Sequence, residues 1–211
     1  MSVALRRRVS ISEAFKFAWP TLRKRFGLFA AILLTIVGAW VVLEIVVIGG
    51  QRLGIALWLA MHLAFLSFVA GVELGLLQVC LALYDEREPQ FRDTFKQLAA
   101  GPRFLAGQAI YLLMSTLGLL LFVVPGAYFS ARYALFGFCM ASGDGGLMCS
   151  FQRSADLSAG VTIHLFLILL ALLVLNVLGA SLLGLGLFIT FPLSTLFLTA
   201  VYRQLSAAEL T

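Results

Sequence analysis

Long apolar runs separated by short polar segments make up most of this chain. A helix needs about 20 residues, at 1.5 Å each, to cross roughly 30 Å of hydrocarbon. Runs near this length therefore predict membrane-spanning helices, of which the second is long enough to tilt and the fourth is short. The six predicted spans are residues 27–48, 55–84, 104–124, 126–141, 161–182 and 185–202.

Three of the intervening polar segments carry a helical stripe of apolar residues. Spacings of three and four residues place such side chains on one helix face, so these helices are predicted to lie in the headgroup boundary with that face inward. Ser10 and Glu13 have the spacing of a capping box at the start of the first of them. The predicted interfacial helices are residues 10–19, 91–99 and 147–157, with Phe15, Lys16, Phe95, Lys96, Phe151 and Arg153 at the membrane surface.

The order of elements repeats three times, because each amphipathic segment precedes a pair of spans. Self-similarity of this kind is typical of repeat-built membrane folds. Composition agrees, since 62% of the 211 residues are hydrophobic and only 12% are charged, against about 25% charged in soluble domains. We predict an all-α integral membrane protein, a single domain of six transmembrane helices in three hairpin-like repeats.

Basic residues are distributed unequally between the two predicted sides. Thirteen of the fifteen Lys and Arg residues lie in segments on one side, and Arg52 and Arg132 are the exceptions. Basic residues resist translocation, so that side and both termini are predicted to face the cytoplasm. Anionic headgroups are the predicted partners, and no nucleic-acid-binding module accompanies the charges. The predicted cytoplasmic segments are residues 1–25, 86–103, 142–160 and 203–211.

Five ionisable residues fall within the predicted spans, where each is costly and is a functional candidate by default. Two of them lie at similar depth: Glu73 is ~16 Å and Arg132 ~14 Å from the predicted cytoplasmic boundary, at 1.5 Å per residue. They form an ion pair, or Arg132 extends outward to the interface, or one of them binds a solute. The other three, nearer the interfaces, are Glu44, His62 and His164.

Small and polar residues inside the predicted spans have two interpretations, helix packing and the lining of a cavity. Gly71 and Gly75 are four residues apart, as are Ala180 and Gly184, and this spacing lets helix backbones approach closely. Polar side chains can join helices by hydrogen bonds or line a lipid or solute cavity. The polar residues in question are Gln108, Tyr111, Ser115, Thr116 and Asn176.

Three stretches resemble a class of bacterial six-helix membrane proteins. Leu121–Tyr133 reads LFVVPGAYFSARY, and Pro192–Leu205 ends in Tyr-Arg-Gln-Leu. Between them the class pattern is matched by Asp144, Phe151, Arg153, Ser154 and Gly160.

The class includes uncharacterised proteins and the membrane-embedded domain fused to some glycerophosphodiesterases. The resemblance implies the six-helix fold over nearly the whole chain and a location in the bacterial inner membrane. The chain departs from the class at Gly145-Gly146. It carries over no catalytic residues, because the hydrolytic part of those fusions is a separate soluble domain.

The sequence lacks the common catalytic motifs HExxH and GxSxG, and it has no phosphate-binding loop,. Cys80, Cys139 and Cys149 lack metal-binding spacing,. No catalytic residue, cofactor or metal is predicted.

The leading hypothesis is a non-enzymatic membrane scaffold or accessory module that interacts with lipids or envelope proteins, the latter including a second copy of the chain. The alternative is a small transporter or channel using Glu73 and Arg132, and an embedded enzyme ranks third. A transporter should contain a polar cavity at mid-membrane.

The topology can be tested with single cysteines placed at Gly50 and Gln90 in a chain lacking its three native cysteines. The unequal distribution of basic residues predicts that the two positions react with an impermeant thiol reagent from opposite sides of the membrane. Reaction of both from outside would contradict six spans.

Overall fold

The structure is a computed structural model that describes residues 9–49, 54–143, 145–182 and 184–208. It is all-helical, with 86% helix, and no strand occurs in these ranges. The helices are α1 Ile11–Lys24, α2 Phe26–Gly49, α3 Ile55–Tyr84, a 3-10 helix at Phe91–Ala100, α4 Gly101–Leu121, α5 Val123–Tyr133, α6 Phe136–Ala141, α7 Leu147–Leu157, α8 Thr162–Ser181 and α9 Leu187–Ala207.

Within the described ranges, four helical stretches are long and apolar enough to cross a membrane, as in an integral membrane protein. They correspond to the first, second, third and fifth predicted spans, and the third extends back through the 3-10 helix. Their bounds are Phe26–Ile48, Ile55–Tyr84, Phe91–Leu121 and Thr162–Ser181.

The fourth and sixth predicted spans are not among these four stretches. The expected single helix over 126–141 is wrong, because α5 and α6 are separate helices divided at Ala134 and Leu135. The sixth is a continuous helix with Pro192 inside it. Most of its residues from Pro192 onward are buried by protein, so its Ser and Thr side chains are shielded from the surroundings.

Six of the described helices contact one another in a closed ring. Contacts run from α2 to α3, α4, α5, α8 and α9 in turn, and α9 returns to α2. On the inside, α3 also contacts α6 and α9. Buried residues concentrate in the second half of α3, in α6 and in α9, while α2 and α8 expose most of their apolar side chains. Those exposed faces suit hydrocarbon.

Each amphipathic segment packs on one of the inner helices α3, α6 and α9, in which buried residues concentrate. The 3-10 helix lies along α3, α7 contacts α6, and α1 contacts α9. The expected placement of the whole apolar stripe in the headgroup boundary therefore has to be corrected, because part of each stripe is covered by protein.

The first segment shows how its stripe divides. Ala14 and Ala18 are fully buried in the core, whereas Phe15 and Trp19 remain about half exposed and stack on each other. Ser10 fixes the start of α1, since its hydroxyl accepts from the Glu13 N–H. Its backbone N–H and carbonyl also bond to the Gln204 amide of α9. One edge of α1 thus contacts protein and the other is free to meet lipid.

The second segment depends on two glycines of α3. A Cβ atom at Gly75 would lie 1.8 Å from the Thr94 carbonyl oxygen, and one at Gly71 would lie 2.9 Å from Leu98 Cα. Only glycine permits these approaches, so the predicted small-residue contact is present, but its partner is the 3-10 helix rather than another span. Ten residues is long for a 3-10 helix, and Gln90 with Asp93 caps its start.

This packing predicts that Gly75→Ala destabilises the chain by about 1–3 kcal/mol, because the new methyl group would overlap backbone atoms that cannot rotate away. Gly38→Ala is the matched control, since a Cβ there meets nothing within 4 Å. Unfolding of the purified variants in detergent measures both free energies. Equal effects would contradict the close approach of α3 and the 3-10 helix.

Candidate functional site

A break between α5 and α6 shapes the centre of the protein. Around Ala134 and Leu135 the helical bonding is interrupted, and α7 supplies replacement partners. The Ser154 hydroxyl donates to the Arg132 carbonyl at 3.1 Å and accepts from the Leu135 N–H at 3.2 Å. Because an unpaired buried backbone group costs several kcal/mol in an apolar medium, this side chain stabilises the break.

A central cavity of about 360 Å³ lies beside the break. It is bounded by α3, α4, α6, α8 and α9. On one side Glu73 of α3 accepts a 2.6 Å hydrogen bond from the Gln108 amide of α4. On the other, the Asn176 amide of α8 donates to the Ser194 hydroxyl of α9 at 2.8 Å. These polar side chains therefore both join helices and line a cavity.

Most of the remaining cavity wall is apolar. Leu and Phe side chains from five helices surround the polar groups. The aromatic members of this wall are Phe104, Phe136, Phe138 and Phe191.

Arg132 contacts Tyr128 instead of forming the expected ion pair with Glu73. Its guanidinium donates to the Tyr128 hydroxyl at 2.6 Å and lies 5.6 Å from the centre of that ring. Glu73 bonds to Gln108 instead, and no ion pair joins Glu73 to Arg132. The structure therefore separates the two predicted site residues. Tyr128 lies one turn towards the start of α5, and extension of Arg132 outward to the interface stays a prediction.

A second, basic pocket of about 380 Å³ lies where α3, α6 and α9 end. Arg87, Arg153 and Arg203 line it together with one carboxylate, Asp85. Asp85 accepts from Arg203 and lies 3.7 Å from Arg87. The lining of this pocket therefore carries more positive than negative charge.

Hydroxyl groups add further donors to the basic pocket. The hydroxyls of Ser142 and Tyr202 lie 3.0 Å apart at its wall. Ser206 Oγ and Arg203 Nε are buried there without a hydrogen-bond partner. Arg153 was predicted as a surface residue, whereas Arg87, Arg203 and Asp85 were not predicted as site residues. The signal available was their charge at the ends of apolar runs.

The three predicted surface phenylalanines have unequal environments. Phe15 is half exposed, Phe95 packs edge-on against Phe91, and Phe151 is buried in a stack with Phe136 at 4.8 Å. Beside them, Lys96 pairs with Asp93 at 2.6 Å. Phe15 is therefore the most exposed of the three side chains.

The other three ionisable residues of the predicted spans, Glu44, His62 and His164, lie away from both cavities. The His62 ring bonds to the Trp58 carbonyl at 2.9 Å, and His164 borders a separate apolar groove. Across the described ranges, no three His, Cys, Asp or Glu side chains gather where they could hold a metal ion. Asp144, part of the resemblance above, lies outside those ranges.

No protein-family model, curated protein or solved structure matches the chain. The resemblance to the six-helix class therefore stays a prediction, and the function has to be argued from the two cavities.

The separation of Glu73 from Arg132 predicts how their substitutions combine. Glu73→Leu and Arg132→Gln should have additive effects on stability, to within about 0.5 kcal/mol. Glu73→Leu and Gln108→Leu should not be additive, because either one alone strands a buried polar partner, which costs about 1–3 kcal/mol.

Thermal or denaturant unfolding of the single and double variants in detergent gives both coupling energies. A Glu73–Arg132 coupling as large as the Glu73–Gln108 coupling would show that the carboxylate and the guanidinium do meet.

Proposed function

We propose that the chain is a non-enzymatic six-span module of the bacterial inner membrane that binds the phosphate of an anionic lipid headgroup in the basic pocket. The observation that carries the proposal is the gathering of Arg87, Arg153 and Arg203 around a cavity that has buried donors without partners. Such a module would act as a scaffold or accessory that localises lipid or envelope partners.

The helix contacts support six spans in three repeats. With α5 and α6 taken as one interrupted span, each repeat is an amphipathic segment followed by two spans. Each amphipathic segment contacts the second span of the preceding repeat: the 3-10 helix on α3, α7 on α6 and α1 on α9. The relation is cyclic, which favours a ring of three similar units.

Contacts among the basic segments support a single cytoplasmic side. Arg25, just after α1, pairs with Glu88 after α3 at 2.8 Å, and Arg203 in α9 binds Asp85. The pocket adds Ser142 after α6 and Arg153 in α7. All four segments with most of the positive charge thus meet at one end of the bundle, as the positive-inside rule requires.

The chemistry of the pocket suits a phosphate that is held at the membrane surface. Arginine guanidinium groups offer paired N–H donors that match phosphate oxygens. Arg203 and Tyr202 sit at the end of a spanning helix, at the level where headgroups lie. Arg87 is 75% exposed, so it can reach a headgroup without losing a buried partner.

The transporter alternative retains one favourable observation, the few polar side chains that line the otherwise apolar central cavity. The joint Glu73–Arg132 site that this alternative predicted is not formed, because the two side chains have separate partners.

Headgroup binding is tested by native mass spectrometry of the chain in detergent with phosphatidylglycerol added. The double variant Arg87→Gln/Arg203→Gln removes two pocket charges, each contributing about 1 kcal/mol, so affinity should fall roughly thirtyfold. Phosphatidylcholine and inorganic phosphate are the comparison ligands, and neither should occupy the pocket as strongly as phosphatidylglycerol.

The matched control is Arg92→Gln/Arg103→Gln, which removes two exposed charges that do not line the pocket. Its affinity should stay near that of the unaltered chain. Equal losses in the two double variants would indicate diffuse attraction to positive charge and would overturn the pocket.

A further inference from the structure

The hydrogen-bond donors around the central cavity are mostly engaged. The Asn176 amide N–H groups bond to the Leu172 carbonyl and the Ser194 hydroxyl, each at 2.8 Å. Tyr111 donates to the Ser130 carbonyl at 3.0 Å, and Gln108 donates to Glu73. A ligand that enters the cavity finds few donors free to receive it.

The acceptors of the cavity are less fully used. Asn176 Oδ1 is buried without any hydrogen-bond partner, although such atoms are nearly always paired,. Glu73 receives one side-chain hydrogen bond and has further acceptor positions,. Among the described residues that line the cavity, no Lys, Arg or His balances this carboxyl group. The cavity therefore suits a ligand that brings donors and positive charge.

The walls and the opening restrict the ligand further. Four phenylalanine rings line the cavity, and aromatic faces attract cations,. The volume of about 360 Å³ lies in the range of small-molecule sites, roughly 300–1,000 Å³,. Leu173 lines the cavity and is 58% exposed on α8, so the opening faces the surroundings of a spanning helix. A ligand that dissolves in the bilayer can enter there.

We propose that the central cavity binds a small lipophilic organic ammonium ion, whose N–H donors bond to Glu73 and Asn176 while its apolar part lies among the phenylalanines. This site goes beyond the headgroup pocket. The two cavities share no lining residue, so failure of either proposal leaves the other standing.

The test is isothermal titration calorimetry of the chain in detergent, with 2-phenylethylammonium and its neutral analogue 2-phenylethanol, each corrected against empty micelles. The unaltered chain should bind the ammonium ion at least about tenfold more tightly, because only the cation pairs with the buried carboxylate. Glu73→Gln keeps the size of the side chain and should abolish this preference while leaving the affinity for the alcohol unchanged.

Glu44→Gln is the matched control, since it removes a carboxyl group from α2 away from the cavity. It should keep the preference for the cation. Leu173→Trp at the opening should weaken both ligands, whereas Leu170→Trp, exposed on the same helix but outside the cavity, should weaken neither. Absence of binding to the unaltered chain, equal affinities for the two ligands, or a preference that survives Glu73→Gln would overturn the proposal.

Discussion

Backbone groups within hydrocarbon have no water to bond with, and this constraint organises the structure. At the break between α5 and α6 the Ser154 hydroxyl serves both the Arg132 carbonyl and the Leu135 N–H. It can do so because α7 is drawn in against the break. A second close contact with backbone lies at Gly75, where the 3-10 helix packs directly on α3.

Packing of the amphipathic segments also determines where chemistry can occur. The segments cover the inner helices and bring their polar ends together, so Asp85, Arg153 and Arg203 meet in one basic pocket. The break between α5 and α6 has a second effect, since Phe136 and Phe138 just after it lie on the wall of the central cavity. Fold stability and both candidate binding sites thus depend on the same contacts.

The sequence predicted the bounds of the long helices and the order of elements better than it predicted helix rotation. The run ending before Asp85 predicted a span over 55–84, and α3 occupies Ile55–Tyr84. Glu73 and Arg132 were placed at equal depth, yet depth does not say which way each faces. No Gly or Pro marks the break at Ala134, whose support from Ser154 comes 20 residues later. The Arg203–Asp85 contact spans 118 positions, beyond the reach of local patterns.

The central claim is that the basic pocket holds a lipid phosphate. Its most direct test is an experimental structure of the chain in nanodiscs containing phosphatidylglycerol, at a resolution that shows individual lipids. The account predicts a headgroup phosphate within hydrogen-bond distance of Arg203, with Arg87 closing over it. A pocket filled by protein side chains, with ordered headgroups bound only elsewhere, would contradict it.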